Sequence, residues 1–374
     1  MRKRKSHLLL FTPGPINASV KTKKAMLVDR GSRDDDLHQI RKRICRGLLK
    51  ISGNPKSHIC IPIQGSGTYA IESAIGSLIP NRGKILVMSN GRYGERIAKI
   101  CKMLGKKFFI FKNNDREQNS LIDLDKLLSK DSSVTHVAAV HCETTSGILN
   151  ALEEMARIVA KRGRIFLVDA MSSFGAIPIN LRKTKCDILI SSSNKCLEGV
   201  PGVSFVIASR KLFKGKGYAR SLSLDLVDQW NFFEKNGQWR FTPPTHVLAA
   251  LDSAIVQHFE NGGVHAKNLR YRVNTETLIK EMRSMGFDSF VSDRYQSPII
   301  ATFFYPRDRK FSFTSFYDLL REKNCLIYPG KLSHADTFRI SCIGQIGLKD
   351  VKDLLKKIKL VLRKMGVTDC SSDN

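Results

Sequence analysis

The sequence predicts an α/β protein, in which a doubly wound, mostly parallel central sheet carries helices on both faces and a smaller α+β domain follows. Two observations support this fold class. Short apolar runs of strand type alternate, along the first half of the chain, with segments whose apolar residues recur at helical spacing. The chain also has 374 residues, of which 42% are hydrophobic, enough for one large domain and a smaller one.

The elements follow in order after an entry loop over residues 12–36. Each predicted strand ends in a polar cluster, and the carboxyl ends of parallel strands meet at one edge of a sheet, where ligands bind. We therefore expect these clusters to lie together. The predicted strands are Ile59–Ile63, Ile85–Met88, Val137–Val140, Ile165–Val168, Asp187–Ile190 and Val203–Ile207. The predicted helices between them include Leu37–Ile51, a helix through Ala70 to Ile79, one ending near Leu104, and Leu152–Val159.

A single lysine lies in the link between the last two of these strands. Lys195 follows three serines and Asn194, and Gly199, Pro201 and Gly202 exclude a regular helix after it. Burial in such a link favours the neutral amine, which is the form that attacks a carbonyl carbon. From spacing alone, a reactive lysine and an ordinary surface lysine are about equally supported, because a perturbed lysine is only a candidate site.

A glycine-rich turn opens the helix after the first strand of the sheet. Its sequence is Gly65-Ser66-Gly67-Thr68. Glycine lets the backbone approach a ligand closely, and the free N–H groups and the dipole of a helix N-terminus favour phosphate. An ordinary capped helix start gives the same pattern, so the turn alone does not decide. A P-loop is excluded because no Gly-Lys-[Ser/Thr] follows the turn.

The pattern changes to a small α+β lobe after about residue 260. A helical stripe from Val247 to Phe259 ends at Asn261-Gly262-Gly263, and another helix continues over residues 269–282. We expect a large domain over residues 15–259 and a small domain over residues 260–374, joined by an N-terminal segment, residues 1–14. In the small domain, strands are predicted at 297–304, 325–328 and 337–341, and helices at 313–320 and 351–361.

The formal net charge is +28, from 62 basic and 34 acidic residues. The basic residues are spread along the whole chain, and the sequence has no zinc-knuckle spacing, no basic region with heptads and no aromatic RNA-binding signature. We therefore rank non-specific charge first, steering of an anionic substrate second and nucleic acid third.

The cysteines and the apolar runs bear on the compartment. The chain has nine cysteines, an odd number, and no Cys-x-x-Cys pair. This favours reduced thiols in a cytoplasmic protein over a disulfide scaffold or a zinc site. No apolar run reaches the length of a membrane span, so no membrane partner is expected.

The polar clusters together suit one cofactor. Pyridoxal phosphate needs a lysine for its aldehyde, a carboxylate for its ring nitrogen and a cup for its phosphate. Lys195 supplies the first, Asp169 at the end of a predicted strand supplies the second, and the turn Gly65–Thr68 supplies the third. Tyr93 lies in another loop at the same predicted edge.

Segments along nearly the whole chain resemble the class V aminotransferases, which implies a fold-type I pyridoxal phosphate enzyme that works by a ping-pong mechanism. Within that family, the resemblance is strongest to members that move the amino group of 2-aminoethylphosphonate to pyruvate. The segments that carry it are Gly14-Pro15, Gly65–Thr68, Asn90–Gly94, His141–Thr145, Val168–Ala176, Ser193–Cys196, Ala219–Leu226, Gln238–Thr242 and Tyr328–Leu332.

The resemblance also implies a role for individual residues. Lys195 would hold the cofactor covalently and shuttle a proton, Asp169 would pair with the ring nitrogen, and Tyr93 would stack on the ring face. Arg339, the one arginine in a strand that is otherwise apolar or small, would bind the acid group of the substrate with two parallel hydrogen bonds. The other implied cofactor contacts are Ser66, Gly67, Thr68, Thr144 to the ring hydroxyl, Met171, Asn194, Trp239 and Thr242.

Because Thr242, with Trp239 near it, would reach the phosphate of a neighbouring subunit, the resemblance implies a homodimer.

Two alternatives to this function remain at this point. The first alternative is an alanine–glyoxylate or serine–pyruvate type aminotransferase, a group that typically has histidine where this chain has Thr68. The second is a basic nucleic-acid-binding protein on an inactive scaffold, which the presence of Lys195, Asp169 and Arg339 disfavours.

Overall fold

The structure, a computed structural model, describes residues 8–332 and 334–373. Residues 1–7 of the expected N-terminal segment therefore lie outside the described residues. The helices are α1 (Val20–Lys24), α2 (Asp35–Ile51), α3 (Gly67–Leu78), α4 (Arg92–Met103), α5 (Leu121–Lys130), α6 (Leu152–Lys161), α7 (Leu226–Asn236), α8 (Thr245–Glu260), α9 (Gly263–Ser284), α10 (Phe313–Glu322) and α11 (Leu348–Met365). The strands are β1 (Leu9–Leu10), β2 (His58–Gln64), β3 (Lys84–Ser89), β4 (Lys107–Lys112), β5 (Val134–Val140), β6 (Cys142–Glu143), β7 (Ile148–Leu149), β8 (Ile165–Asp169), β9 (Ile188–Ser192), β10 (Val203–Ser209), β11 (Ile300–Phe304), β12 (Cys325–Leu326), β13 (Tyr328–Pro329) and β14 (Thr337–Ser341).

A seven-stranded sheet forms the centre of the large lobe, in the order β2-β10-β9-β8-β5-β3-β4. The pairs among β4, β3, β5, β8 and β9 are parallel, and β10 is antiparallel to both of its neighbours. Only β10 therefore runs against the other strands. Strands β2, β3, β5 and β10 are almost wholly buried, as expected for a sheet that is covered on both faces, whereas the edge strand β4 is partly exposed.

Helices cover both faces of this sheet and bury two separate apolar clusters. The first cluster joins one sheet face to α2, α5, α6 and α8. The second joins the opposite face to α3, α4 and α7. The α/β fold class predicted from the sequence is thus confirmed.

Strand direction gives the sheet two chemically different edges. The segments that follow the parallel strands, together with the β9–β10 link, form what we call the carboxyl-end edge. It comprises residues 64–68, 89–93, 112–120, 140–151, 169–178 and 191–203. The segments that precede the parallel strands, together with the segment that follows β10, form what we call the amino-end edge. It comprises residues 52–58, 80–84, 104–107, 129–135, 160–165, 179–187 and 209–218.

The C-terminal lobe is a three-stranded antiparallel sheet, β11-β14-β13, packed against α9, α10 and α11. Its core is aromatic: the Phe338 ring lies 5.7 Å from the rings of Phe287 and Phe303 and 5.6 Å from that of Phe316. The N-terminal strand β1 pairs in parallel with β12, and Phe11 is buried in the same core. The start of the chain therefore packs on the C-terminal lobe.

Several predicted elements were wrong in detail. The run Cys325–Tyr328 is not one strand: Ile327 is buried between β12, which pairs with β1, and β13, which pairs with β14. The strand predicted at 297–304 begins only at Ile300. Sequence reasoning also omitted β4, α5 and α7, although Asp225 caps the start of α7 and Gly237 ends it in the left-handed conformation.

No helix within residues 8–332 and 334–373 combines the length and the apolar character needed to cross a membrane.

Candidate active site

Lys195 lies at the carboxyl-end edge, in the irregular link between β9 and β10 that the sequence predicts. Its Nζ donates a hydrogen bond to Oγ of Ser172 at 2.8 Å and lies 5.5 Å from the centre of the Tyr93 ring. The N-terminal segment closes one side of the link, since a Cβ added to Gly14 would lie 3.3 Å from Cγ of Lys195. The amine is thus held between two loops and faces the ring of a third.

Asp169 is the last residue of β8, and only one of its two carboxylate oxygens has a hydrogen-bond partner among the described residues. Its Oδ1 accepts a hydrogen bond from the Met171 N–H at 2.9 Å. Its Oδ2 is buried and has no hydrogen-bond partner among the described residues. Burial raises the pKa of Asp169, while the Met171 N–H and the charge of Lys195 act in the opposite direction. A cationic N–H donor at Oδ2 would satisfy the carboxylate and favour its ionised form.

The glycine turn meets the Asp169 loop. The helix α3 begins at Gly67, and its Ser66 N-cap makes no side-chain cap, so N–H groups of the first turn remain open to a ligand. A Cβ on Gly67 would collide with Sδ of Met171, so only glycine lets the helix start approach the loop that carries Asp169. The predicted phosphate cup and the predicted ring partner are therefore neighbours.

Tyr93, in the first turn of α4, is surrounded by cations. Lys331 Nζ lies 5.4 Å from the ring centre and 3.5 Å from the hydroxyl, and the Arg96 guanidinium lies 4.4 Å from the ring centre. Burial raises the pKa of Tyr93, but the charges of Lys195, Lys331 and Arg339 outweigh it and lower that pKa to about 8. The tyrosine thus belongs to a positively charged, largely buried site.

Glu143 is a fully buried carboxylate that holds the Tyr93 loop in place. It accepts hydrogen bonds from the backbone N–H of Tyr93 at 3.2 Å and of Thr145 at 3.0 Å. Burial raises the pKa of Glu143, and these two donors oppose that effect. A Cβ on Gly91 would collide with this carboxyl group, so the close approach at this position requires glycine.

Arg339 in β14 is the largest fully buried side chain in the described part of the chain, at 1% exposure. Its Nε donates to the Pro329 carbonyl at 3.1 Å, and its Nη1 donates to the Thr144 carbonyl at 2.8 Å. Burial lowers the pKa of Arg339, and the neighbouring Tyr93 and Glu143 act in the opposite direction. Two of the five guanidinium N–H groups are used in this way, so the fork is oriented and keeps donors for an anion.

The Lys195 link is anchored from behind by a second buried carboxylate, Glu198, which adopts a positive φ of 62°. Glu198 accepts hydrogen bonds from the Tyr271 hydroxyl at 2.5 Å and from Gln345 Nε2 at 2.5 Å, and it is ion-paired with Arg270. Although burial raises the pKa of Glu198, the neighbouring cations Lys267 and Arg270 lower it below its usual value. The network ties the lysine link to α9 and to the C-terminal lobe.

The remaining residues that the sequence predicts as cofactor contacts are less clearly connected to the cluster around Lys195. Asn194 adjoins Gly14, and Thr68 accepts a hydrogen bond from Arg96 Nη1 at 3.1 Å. Trp239 packs edge-on against Phe233, with ring centres 5.3 Å apart, and its buried indole N–H has no partner in the described part of the chain. Thr242 is exposed. The structure thus does not bring Thr242 into the cluster around Lys195 within one subunit.

Sequence reasoning missed five residues that the structure adds to this region. Arg96 follows Tyr93 by three residues on one helix, a spacing that places their side chains together. Lys331, Ser172 and Glu143 lie within segments that resemble the family, but nothing in the sequence says that they face the lysine. Glu198 had no usable signal, because its partners lie more than seventy residues away along the chain.

The arrangement fits pyridoxal phosphate on an observation independent of any likeness. A protonated ring nitrogen is the donor that the unsatisfied Oδ2 of Asp169 lacks. A phosphate would meet the open N-terminus of α3, and an aldehyde carbon would meet the Lys195 amine.

Comparisons with known proteins agree with this chemistry. Residues 38–331 match the family model described as Aminotransferase class-V. The chain is 47% identical over 362 residues to a 2-aminoethylphosphonate–pyruvate transaminase of Pseudomonas fluorescens (strain Pf0-1), covering 96% of this chain and 98% of that protein. It is 48% identical, with the same coverage, to the protein of that name from Pseudomonas aeruginosa (strain UCBPP-PA14).

Solved structures are similar over nearly their whole length. An alanine–glyoxylate aminotransferase from Nostoc sp. has a TM-score of 0.89 at 24% identity and covers 97% of each chain. A pyridoxamine–pyruvate aminotransferase from Mesorhizobium loti has a TM-score of 0.89 at 20% identity, covering 97% of this chain and 94% of its own. At these identities the likeness shows the fold alone.

The cations around Tyr93 predict an unusual titration in the cofactor-free protein. One tyrosine should ionise near pH 8, about two units below its ordinary pKa of 10. Lys331→Met removes a positive charge that favours the phenolate, so the transition should move to higher pH. Ultraviolet absorbance of phenolate against pH measures this. Lys99→Met, an exposed lysine on α4, should leave the transition in place; a protein with no tyrosine ionising below pH 9 would contradict the electrostatic picture.

Proposed function

The chain belongs to the class V aminotransferases, and from this membership we propose that it moves the amino group of 2-aminoethylphosphonate to pyruvate, giving phosphonoacetaldehyde and L-alanine. One observation carries the choice of substrates: identity of 47–48% over 96% of the chain to relatives that bear that name. The enzyme is a pyridoxal-phosphate-dependent transaminase, and it serves the catabolism of phosphonates.

Pyridoxal phosphate, when bound, would supply a carrier for the amino group between the two half-reactions and an acceptor for the electron pair left at the substrate carbon. The protein supplies what this chemistry lacks. Asp169 holds a proton on the ring nitrogen through its unsatisfied Oδ2. Lys195 moves a proton at the substrate carbon, and its bond to Ser172 orients the amine before reaction.

Arg339 binds the acid group of each substrate in turn. Both half-reactions present an anion at the cofactor, a phosphonate from the donor and a carboxylate from pyruvate. The guanidinium is held by two backbone carbonyls and is almost wholly buried beside Tyr93, so it is oriented in advance and little solvated. The Lys331 amine beside Tyr93 adds a second positive charge, which suits a phosphonate more than a carboxylate.

The alternatives from the sequence receive less support. The structural likeness to an alanine–glyoxylate aminotransferase rests on 24% identity, which speaks to fold and not to substrate. A protein that had lost catalysis would have no reason to keep Oδ2 of Asp169 buried without a partner, or the Arg339 guanidinium buried without an ion pair among the described residues, because each costs stability without a ligand.

We place the active form as a homodimer in the cytoplasm. Ser66 and Thr242 are exposed, so within one subunit the predicted phosphate contacts are incomplete. Around them lie three exposed apolar side chains: Tyr69 is 53% exposed, Leu222 77% and Phe241 44%. They form one surface, because Ser73 of α3 donates to the Leu224 carbonyl and Arg240 donates to the Asp225 carbonyl. A second subunit would cover this surface and bring its own Thr242 to the cup.

A panel of amino donors tests the reaction. Purified protein with pyridoxal phosphate and pyruvate should form alanine with 2-aminoethylphosphonate and much less with other amines. Equal alanine formation from an amine without an acid group would refute the substrate assignment.

Two substitutions test the roles of Lys195 and Asp169. Lys195→Ala should lose the visible absorbance of bound cofactor together with turnover. Asp169→Asn should keep the cofactor but lower turnover roughly 100-fold or more, as for other preorganised charges.

Arg339→Lys tests how the acid group is bound. Lysine offers one point charge and cannot hold both backbone carbonyls while presenting a fork. We expect turnover with both substrates to fall by about 10- to 100-fold, the effect of losing a charge-assisted pair worth about 1.5–3 kcal/mol. The absorbance of bound cofactor should stay unchanged. Loss with pyruvate alone would place the phosphonate at another cation, with Lys331 and Arg92 the next to test.

Phe241→Asp tests the subunit arrangement. A charge in the buried centre of an interface is costly, so the variant should elute as a single chain of 42.1 kDa in light scattering and lose affinity for the cofactor. Ile122→Asp, at a side chain that is 82% exposed on α5, is the matched control and should leave the dimer intact. A wild-type protein that is active as a single chain would exclude the proposed arrangement.

A further inference from the structure

The positive charge of the chain is concentrated at one edge of the central sheet. The amino-end edge is made of seven segments that are far apart in sequence but adjacent in the fold. Strand register places them in one row: Lys107 pairs with Lys84, Ile165 with His136, and Ser209 with His58. With neighbouring strands about 4.8 Å apart, seven strands make a row roughly 29 Å long.

These segments contain sixteen basic and only two acidic residues, a formal net charge of +14, which is half of the +28 of the whole chain. The two acids, Asp131 and Asp187, are each already paired, with Lys84 at 2.5 Å and with Lys211 at 2.7 Å. Twelve of the basic side chains are exposed, namely Lys56, Arg82, Lys107, Lys130, Lys161, Arg182, Lys183, Lys185, Arg210, Lys211, Lys214 and Lys216.

The carboxyl-end edge has no such excess. Its six segments hold four basic and five acidic residues, and the positive charge of the active site comes from a few further cations beside Tyr93, namely Arg96, Lys331 and Arg339. A strand of five residues, such as β9, separates the edges by roughly 16 Å, which is about twice the Debye length of ~8 Å at physiological salt. Steering of an anionic substrate therefore does not account for the basic edge.

We propose that the amino-end edge binds the phosphate backbone of duplex nucleic acid without reading its sequence. The row is about as long as one turn of a duplex, ~34 Å, and it presents the lysine and arginine side chains that neutralise phosphates. This surface is separate from the transamination site and does not depend on the proposed reaction.

Other polyanions fit this edge less well. A single strand is bound by stacking its bases on aromatic rings, and the one exposed large apolar or aromatic side chain of the edge is Tyr218, which is 42% exposed. The same shortage disfavours a membrane surface, because peripheral membrane binding gains much of its strength from inserted apolar side chains. A duplex needs neither stacking nor insertion.

The test compares two variants of equal charge. In the edge variant, Lys56→Glu, Lys183→Glu, Lys185→Glu and Lys214→Glu are combined. In the control variant, four exposed lysines of the C-terminal lobe are changed in the same way: Lys280→Glu, Lys352→Glu, Lys356→Glu and Lys364→Glu. Both have a formal net charge of +20, eight below that of the chain. Equal midpoint temperatures of thermal unfolding show that both variants are folded.

Binding of a fluorescent 25-base-pair DNA duplex of mixed sequence is followed by anisotropy at several salt concentrations. The wild-type protein should bind with Kd on the order of 10⁻⁶–10⁻⁴ M at physiological salt, and its affinity should fall steeply as salt rises. The edge variant should bind at least tenfold more weakly, and its slope of log K against log salt should be smaller by about 3–4, about 0.9 for each lost phosphate contact. The control variant should bind nearly as wild type does.

Three outcomes would overturn the proposal. Equal loss in both variants would mean that total charge, not this edge, attracts the duplex. No measurable binding of the wild-type protein would remove the surface as a nucleic-acid site. Tighter binding of a single strand of the same length, or of phosphatidylserine vesicles with the same dependence on the four edge lysines, would show that the partner belongs to a different class.

Discussion

The direction of the strands is the constraint on which both surfaces of this protein depend. Parallel strands need crossover connections, and these connections send every carboxyl end to one edge. As a result, groups far apart in sequence become neighbours: Lys195 contacts Ser172, and Arg339 contacts Thr144 across 195 positions of the chain. The single reversed strand, β10, lets the lysine link turn back at that same edge. The amino ends, with their basic connections, are left at the other.

The buried charged side chains fall into two groups: those whose charge is paired by other residues of the protein, and those that are left partly without a partner. Glu198 has four partners from α9 and the C-terminal lobe, and its pKa is lowered in spite of burial. Asp169 is also buried, but one of its oxygens has no partner among the described residues and its pKa is raised. An unpaired buried charge costs stability, so it persists where a ligand completes it, whereas a paired one orders the structure. By this criterion we propose that Glu198 positions the lysine, while Asp169 and Arg339 face ligands.

Local pattern predicted six of the seven strands of the sheet, the lysine link and the helix start at Gly67, because each depends on residues adjacent in sequence. Contacts that depend on packing between residues far apart in sequence could not be predicted from local pattern. Nothing near Cys325 indicates that the run divides between two sheets at Ile327, and nothing near Lys331 indicates that it lies over Tyr93. The charge is the clearest case. Basic residues that look scattered along the sequence are gathered by strand direction into one row, so the argument from scatter against a polyanion partner does not carry over to the folded chain.

The division of charge between the edges also determines what can hold a substrate anion. Two unit charges 4 Å apart interact by about 4 kcal/mol near a protein surface, whereas at ~16 Å the figure is about 1 kcal/mol before salt removes most of it. The many lysines of the amino-end edge are therefore too remote to help an acid group at the cofactor. The near cations are those around Tyr93, and among them we propose Arg339 and Lys331 as the ones that attract the acid group. Substitutions at the basic edge and substitutions at these two residues should consequently act independently, because they share neither a contact nor an effective field.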